Sequence, residues 1–213
     1  MVSGKGILIT LEGNEGSGKS TQIRLLADDL RSRGIRVLVT REPGGTKVGN
    51  RIRKILLDRG HGKMSPECET LLYMASRAEL VYEIVAPALR AGKVVLCDRW
   101  LDATIAYQGY GGGVDVEWIR SLGEKATRGL RPRLTLFLDL AVAAGLRRAR
   151  SRKTADRIEK KTLAFHQRVR RGYLCLMRLE PRRIRRVRVR ESDSVRSVHE
   201  KIKKAVAHVL RQY

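Results

Sequence analysis

Apolar positions along the chain form two alternating kinds of segment. Short apolar runs of strand length are separated by longer stretches in which apolar residues recur at helical spacing. The predicted strands are Ile7–Leu11, Ile35–Thr40, Val94–Cys97, Leu134–Leu138 and a short Val187–Val189. The predicted helices are Lys19–Arg33, Lys47–Leu57, Pro66–Leu89, Arg157–Met177 and Val195–Leu210. Strands that alternate with helices predict an α/β fold, with a central parallel sheet of about five strands and helices on both faces.

The chain of 213 residues has the length of a single domain, 1–213, and it contains no internal repeat or low-complexity linker. Its three cysteines, Cys68, Cys97 and Cys175, are odd in number and widely spaced. This pattern suits neither a disulfide framework nor a metal knuckle, so a cytoplasmic location is expected. Apolar runs stay well below the ~18 residues of a membrane span, and a signal-peptide pattern is absent, so no membrane association is expected.

Positive charge is concentrated in the second part of the chain. The formal net charge is +23, and residues 128–213 hold 26 of the 45 basic residues but only 7 of the 22 acidic ones. Such a balance raises the possibility of nucleic-acid binding. The densest run, Arg182–Arg190, contains no aromatic residue that would stack on bases. We therefore expect this run to be a solvated edge, with nucleic acid not a partner.

The strongest motif lies between the first predicted strand and the first predicted helix. It matches G-x-x-x-x-G-K-[ST] and comprises Gly13, Asn14, Glu15, Gly16, Ser17, Gly18, Lys19 and Ser20, followed by Thr21. Its glycines allow backbone N–H groups to surround a polyphosphate at the start of a helix. Lys19 brings a positive charge to the β- and γ-phosphates, and the Ser20 hydroxyl suits Mg²⁺. The motif predicts an ATP site and makes Lys19 the first catalytic candidate.

A P-loop alone does not distinguish a kinase from a GTPase or a motor ATPase, but four later segments do. They are Thr40–Thr46, Cys97–Trp100, Ala106–Gly109 and Ala155–Glu159. Together with the P-loop, from about Gly6 to Gly172, they resemble the thymidylate kinase family. The resemblance implies a P-loop NTPase fold with a helical lid at about residues 145–157. It also implies ATP and dTMP as substrates, Mg²⁺ as cofactor and a homodimer.

The same resemblance implies an acceptor site beside the P-loop. Arg99 takes the role of holding the acceptor phosphate, and Arg77 that of donating to a carbonyl oxygen of thymine. Tyr107 is expected beneath the sugar, with no room left for a 2′-hydroxyl. Glu15 is expected to meet the sugar 3′-hydroxyl or a basic lid residue. The remaining candidates are Arg41, Glu42 and Pro43 after the second strand, and Thr104 and Gln108 at the polar edge of the pocket.

Two aspartates compete for the metal. Asp98 ends an apolar strand, as the aspartate of a Walker B motif does, and it would hold Mg²⁺ together with Ser20. Asp139 ends another strand by the same rule. Because only Asp98 is followed by acceptor-site residues, it is favoured over Asp139, and it joins Lys19 and Arg99 among the catalytic candidates.

The lid segment, residues 145–157, is rich in arginine. The P-loop offers one cation, Lys19, whereas charge in phosphoryl transfer spreads over three oxygens. A lid arginine would supply the second cation. Family members with an arginine-free P-loop tend to carry the catalytic arginine in the lid, and Arg152 aligns best with that role. Arg148 and Arg150 come next, as residues that bind ATP.

Three departures from the family pattern bear on the acceptor. Ala103 replaces a usual serine, Trp100 replaces a smaller aromatic residue or histidine, and the glycines Gly111, Gly112 and Gly113 follow where the Gln-Gly-x-Gly stretch normally continues with arginine. The predicted function is transfer of the ATP γ-phosphate to dTMP, giving dTDP. The alternatives are a kinase for dUMP or another pyrimidine monophosphate, and a nucleic-acid-binding P-loop ATPase.

Overall fold

The centre of the molecule is a five-stranded parallel sheet. The structure is a computed structural model that describes residues 6–60, 64–151 and 156–210. The strands are β1 (Ile7–Glu12), β2 (Val37–Arg41), β3 (Val94–Asp98), β4 (Leu134–Asp139) and β5 (Ile184–Arg188). They lie in the order β2-β3-β1-β4-β5, with every neighbouring pair parallel. The predicted α/β fold with about five parallel strands is confirmed.

Helices cover both faces of this sheet, because consecutive strand residues point to opposite sides. Leu96 of β3 packs in one apolar cluster with helices at both ends of the chain, while Val95 packs in another on the opposite face. The helices are α1 (Lys19–Ser32), α2 (Lys47–Leu57), α3 (Pro66–Leu80), α4 (Ala86–Arg90), α5 (Leu101–Thr104), α6 (Val116–Thr127), α7 (Val142–Arg150), α8 (Leu163–Leu179) and α9 (Val195–Leu210). π-Helical turns, Val81–Val85 and Ile105–Gly111, continue α3 and α5.

Most predicted elements are present, with shifted ends. The bounds of α2 and α9 are those that the sequence predicts, and the predicted helix Pro66–Leu89 is present as α3, a π-helical turn and α4. The last strand begins at Ile184, three residues before the predicted start at Val187. Its true start was not predicted because arginines interrupt the apolar pattern. The helix predicted from Arg157 begins at Leu163, where Thr162 caps it by accepting from the Phe165 N–H. No helix of the described residues is long and apolar enough to cross a membrane.

The sheet order brings the predicted motifs to one edge. β1 lies between β3 and β4, and Leu11 pairs with Asp98, which in turn pairs with Arg41. The loops that follow β1, β2 and β3 therefore leave the sheet side by side. Ligands of open α/β sheets bind at such carboxyl ends of strands.

Candidate active site

The P-loop connects β1 to α1 and packs closely against α7. Gly16 has a positive φ of 68°, and a Cβ atom there would overlap the carbonyl oxygen of Gly145. Glycine meets both conditions, since other residues rarely adopt that conformation and all carry a Cβ. The loop ends on the N-terminus of α1, whose free N–H groups and dipole favour a phosphate group.

The Lys19 ammonium group lies over this loop. It donates to the carbonyl oxygens of Gly13 and Asn14, each at 3.0 Å. Burial and the nearby Arg99 guanidinium lower the pKa of Lys19, while the Glu15 carboxylate opposes that change. An open cleft above the loop is lined by residues 15–21, by Arg41 and by Asp98. Of the predicted ATP-binding residues of the loop, only Gly13 and Asn14 lie below this cleft and support Lys19.

Ser20 and Asp98 meet at the same cleft. The Ser20 hydroxyl donates to Oδ2 of Asp98 at 2.8 Å. The rival aspartate, Asp139, is instead paired with two arginines, Arg170 at 2.6 Å and Arg186 at 2.5 Å. Its oxygens are occupied by structural ion pairs, whereas Asp98 lines the P-loop cleft.

Arg99 joins the P-loop to the acceptor side. Its Nη1 donates to the Gly13 carbonyl oxygen at 2.9 Å, the same atom that accepts from Lys19. Its Nη2 pairs with Oε1 of Glu15 at 2.5 Å, and its guanidinium lies 4.8 Å from the centre of the Tyr107 ring. Arg99 itself has a φ of 73°, a left-handed conformation that is unusual for a residue with a side chain. Two cations thus converge on one point of the loop.

Glu15 has its partners within this cluster. The Tyr107 hydroxyl donates to the oxygen that also pairs with Arg99, at 2.9 Å. Although burial opposes ionisation, Arg99 and Lys19 lower the pKa of Glu15 to about 2. For Arg99, the Glu15 carboxylate outweighs the effect of burial and raises the pKa well above its ordinary value. The predicted basic partner of Glu15 is therefore an arginine after β3, and not a lid residue among those described.

A second, more apolar cavity opens next to the P-loop cleft. It contains every predicted acceptor residue except Arg41, and its lining is Glu15, Glu42, Pro43, Arg53, Leu57, Tyr73, Arg77, Arg99, Trp100, Ala103, Thr104, Tyr107, Gln108, Asp156 and Ile158. Arg41 lines only the P-loop cleft. Four residues line both spaces: Glu15, Glu42, Arg53 and Arg99. The two cavities are therefore contiguous, with Arg99 at their junction.

A buried ion pair forms the wall of the second cavity. Nη2 of Arg77 lies 2.6 Å from Oε2 of Glu42, with both side chains almost fully buried, and it also donates to Thr104 at 2.9 Å. Burial raises the pKa of Glu42, and Arg77 opposes that rise. Among the described residues, the hydrogen-bond partner of Nη1 is the thioether of Met74, a weak acceptor, so Nη1 retains donors for a ligand.

Gln108 is held by a second buried carboxylate. Its amide donates to Oε1 of Glu69 at 2.7 Å, which leaves the amide oxygen of Gln108 as an acceptor. Glu69 also pairs with Arg157 at 2.5 Å and with Lys161 at 3.4 Å. The last residue of the predicted lid, Arg157, and Lys161 just beyond it are thereby tied to the acceptor cavity.

Sequence reasoning missed several residues of this cavity. Arg53 projects from α2 into both spaces and donates to the Pro43 carbonyl at 3.1 Å. Burial and the neighbouring Arg41 lower its pKa. Tyr73 precedes Arg77 by one helical turn, and this spacing was a usable signal because residues four apart share a helix face. No comparable local signal marks Arg53.

Two predicted lid arginines, Arg148 and Arg150, are not brought to the P-loop cleft. Arg148 donates to the carbonyl of Glu191 at 3.0 Å, and Arg150 is exposed. Neither lines the cleft. Arg152 lies outside the described residues.

The glycine stretch 111–113 contacts an arginine of α8. Arg168 of α8 donates through Nη2 to the Gly111 carbonyl oxygen at 2.9 Å. A Cβ at Gly111 would meet the Phe165 ring at 2.8 Å, so this position has no space for a larger residue. The other two departures, Trp100 and Ala103, both line the acceptor cavity.

Glu12 is a further carboxylate that the sequence did not single out. It is fully buried at the end of β1, where its two oxygens accept from the Trp100 N–H at 2.7 Å and the Tyr173 hydroxyl at 2.8 Å. Burial, together with the nearby Asp102, raises its pKa to about 8 despite the opposing charge of Arg99. Glu12 thus links β1 to the loop that carries Arg99.

The raised pKa of Glu12 predicts a pH-dependent stability. The unfolded chain loses this proton near the ordinary value of 4.5, whereas the folded protein keeps it until about 8. The free energy of unfolding therefore falls as pH rises through that window, by up to roughly 1.4 kcal/mol per pH unit. Glu12→Gln removes this titration and keeps a group that hydrogen-bonds at both ends.

Urea unfolding near pH 5 and near pH 8 tests this expectation. From pH 5 to pH 8, we expect the free energy of unfolding of Glu12→Gln to rise by about 2–4 kcal/mol relative to that of the parent protein. Glu124→Gln, at an exposed position, serves as the control and gains nothing. An equal pH response of the parent protein and Glu12→Gln would show that Glu12 is ionised in the folded state.

Comparisons with known proteins point to one family. The family model described as Thymidylate kinase matches residues 11–202. A thymidylate kinase of Pelotomaculum thermopropionicum is 48% identical over 207 residues, which cover 97% of this chain and 95% of that protein. One from Syntrophotalea carbinolica is 52% identical over 183 residues, or 83% and 85% of the two chains. The crystal structure of thymidylate kinase from Ehrlichia chaffeensis superposes with a TM-score of 0.78 at 32% identity, covering 94% of this chain and 98% of that one.

The matched stretch begins in β1 and ends in α9, so it includes the P-loop, Asp98, Arg99 and both cavities. Sequence identity near one half over most of the chain leaves no alternative family to consider. On this ground, the chain belongs to the thymidylate kinase family.

Proposed function

We propose that this protein transfers the γ-phosphoryl group of ATP to dTMP, the reaction for which its relatives are named, and so supplies dTDP. The observation that carries the proposal is the junction of the two cavities. A polyphosphate on the P-loop and a monophosphate in the second cavity would meet at Arg99, which lines both spaces. Neither an ATPase nor a GTPase requires a second cavity of this kind.

The transfer is an in-line displacement without a covalent enzyme intermediate. An oxygen of the dTMP phosphate attacks the γ-phosphorus, and the bond from that phosphorus to the bridging oxygen breaks to release ADP. Lys19 and Arg99 both bond the Gly13 carbonyl oxygen, so both cations lie where negative charge accumulates. Arg99 orients the attacking phosphate, and Glu15 holds Arg99 in place.

Mg²⁺ fits the donors beside the P-loop. The Ser20 hydroxyl and the Asp98 carboxylate lie 2.8 Å apart, and oxygen donors of this type suit Mg²⁺. The described residues contain no group of three or more His, Cys, Asp or Glu that would hold a metal ion by itself. Ser20 and Asp98 would therefore hold the ion together with the phosphates, whose charge it neutralises when bound.

The second cavity is suited to a thymine nucleotide. Nη1 of Arg77 retains donors, which match the O4 carbonyl of thymine and mismatch the amino group of cytosine. Thr104 and Glu42 fix the orientation of Arg77, and Gln108 offers its amide oxygen at the polar edge. Tyr107, held by Glu15, closes the space that a 2′-hydroxyl would need.

The test is ADP production measured with a panel of nucleoside monophosphates. We expect dTMP to give the highest rate, dUMP a lower one, and cytosine nucleotides the lowest. Equal rates with dCMP and dTMP would contradict the role of Arg77. ATP hydrolysis stimulated by single-stranded DNA, with none by dTMP, would instead support a nucleic-acid-dependent ATPase.

The lid arginines provide a further prediction. If Arg152 stabilises charge chiefly in the transition state, Arg152→Ala lowers the turnover number at least about tenfold and leaves both Michaelis constants within a few fold. Lysine at this position restores part of the rate, since it keeps the charge and loses the planar fork. Arg148→Ala and Arg150→Ala are measured beside it. A raised KM for ATP with an unchanged turnover number would show that Arg152 binds ATP in the ground state. The catalytic role would then pass to Arg148 or Arg150.

We also propose that the protein is a cytoplasmic homodimer. Apolar side chains stand exposed along α2 and α3 and in the turn after α3: Val48, Ile55, Leu71 and Tyr82. Such a surface is typical of a subunit contact. All three cysteines are free thiols, as a reducing compartment requires. Sedimentation velocity tests the assembly: a mass near that of one 24.1 kDa chain would exclude the dimer.

A further inference from the structure

The Arg-rich end of the chain has no part in the kinase site. Among the described residues β5 pairs only with β4, so its other edge is open. Two open clefts of about 770 and 710 Å³ lie along that edge between α8 and α9. Together these clefts form the β5 groove, which is bounded by β5, by Met177 and Arg178 of α8, and by Lys204, Ala205 and His208 of α9.

The backbone of β5 presents hydrogen-bonding groups to this groove. The ladder with β4 includes bonds at Arg183 and Val189, so the odd-numbered residues of β5 face β4. The N–H and C=O groups of Ile184, Arg186 and Arg188 consequently point into the groove. Two of them are used, since the Ile184 N–H donates to the Glu180 carbonyl and the Arg188 carbonyl accepts from Lys201. The remaining groups are the carbonyl of Ile184, the N–H and carbonyl of Arg186, and the N–H of Arg188. An added strand would pair with these groups.

Apolar side chains border both sides of this open edge. Ile184 packs into the cluster beneath α8, and Val187 packs into the cluster beneath α9. Met177 and Ala205 are partly exposed and line the groove from these two sides. A polypeptide beside β5 would therefore contact apolar surface with alternate side chains, as the other strands of the sheet do.

The groove is strongly cationic. Arg182, Arg185, Arg188 and Arg190 are exposed, as are Arg178 and Lys204 on the flanking helices. None of these six side chains makes an ion pair within the described part of the chain, and the one acid that lines the clefts, Asp193, is already paired with Lys201 at 2.6 Å. Charges on an edge strand deter unwanted strand pairing. That role accounts for the arginines of β5, but not for cations from two helices around the same groove.

We propose that the β5 groove binds an acidic, extended segment of a partner protein, which joins the sheet as a sixth strand. Pairing with the free backbone groups of β5 orients the segment, and its carboxylates meet arginine forks of matching geometry. Neither cleft is lined by a described Phe, Tyr or Trp, so the groove offers no stacking platform for bases. This composition favours a polypeptide over single-stranded nucleic acid.

The test uses the full chain and a fluorescent peptide of about ten residues, rich in glutamate and valine, in about 0.15 M salt. We expect saturable binding by anisotropy, weakened at least tenfold when alternate peptide nitrogens are methylated and cannot donate. The double variant Arg185→Glu/Arg188→Glu weakens binding at least tenfold as well. Its matched control is Arg24→Glu/Arg90→Glu, which changes two exposed arginines elsewhere and alters binding less than about threefold. Kinase activity stays unchanged in both variants, which shows that they fold.

Several results would overturn the proposal. Equal binding of the methylated peptide would show attraction by charge without strand pairing. Equal weakening by both double variants would show that the net charge, and not the groove, attracts the peptide. An oligothymidylate that binds more tightly than the peptide would assign the groove to nucleic acid. Absence of binding by either probe would leave the arginines as a solvated edge.

Discussion

Replacement of Lys19 by alanine is expected to lower the turnover number by at least about 10²-fold while the fold persists. The Lys19 ammonium group is buried in the P-loop and shares the Gly13 carbonyl oxygen with Arg99. It is the cation of the P-loop, and in the proposed reaction it neutralises charge on the transferred phosphoryl group. Because the charge that it neutralises grows as the reaction proceeds, its loss is felt most in the transition state.

Steady-state kinetics with varied ATP and dTMP measure this effect. Lys47→Ala provides the control, since Lys47 is an exposed lysine at the start of α2 and lines neither cavity. Thermal unfolding of Lys19→Ala shows whether the variant is folded. Near-normal turnover in a folded Lys19→Ala protein would refute the assignment of the P-loop as the site of catalysis.

The second large effect is expected from Arg99→Ala, with kcat/KM for dTMP reduced about 10³-fold. Arg99 is one of the four residues that line both cavities, and in the proposed reaction its guanidinium binds the acceptor phosphate. Its removal also leaves Glu15 without its closest cation, which places an uncompensated carboxylate beside the reacting phosphates. Both consequences act on the acceptor, so the KM for ATP changes far less.

Arg41→Ala is the matched comparison for Arg99→Ala. Arg41 lines the P-loop cleft and is absent from the acceptor cavity, so its removal is expected to affect dTMP at least tenfold less than the removal of Arg99. Arg99→Lys restores only part of the lost activity, because lysine keeps the charge and lacks the bidentate geometry. If Arg99→Ala left the KM for dTMP unchanged, another residue would hold the acceptor phosphate, and Arg53 would be the first candidate.

The predictability of the site differed from residue to residue. Lys19 and Ser20 belong to one short motif, and Asp98 ends an apolar strand, so each of the three carries a local signal in the sequence. Arg53 and Glu12 carry no such signal. Arg53 reaches the site because α2 packs alongside α3, and Glu12 is held by the loop after β3 and by α8. Contacts between elements distant in sequence are invisible to a local pattern.

Secondary structure shows the same division. The segments α5, Ile105–Gly111 and α6 were not predicted, because the glycines of Gly109–Gly113 obscure their helical pattern. Burial against α8 stabilises this stretch, and Tyr107 and Gln108 reach the acceptor cavity from it. Helix propensity is a weak guide where packing between elements decides the outcome.

The sequence by itself determined the parallel α/β fold, the P-loop and the phosphate chemistry, because these depend on residue periodicity and on motifs confined to a few consecutive positions. Only the tertiary structure decided which groups meet. It paired Glu15 with Arg99, occupied Asp139 with structural arginines, and raised the pKa of Glu12 to about 8 by burial. It also gathered the unpaired arginines of β5 into one groove. Each of these outcomes depends on the order of strands and the packing of helices across the sheet, which bring together residues from distant parts of the chain.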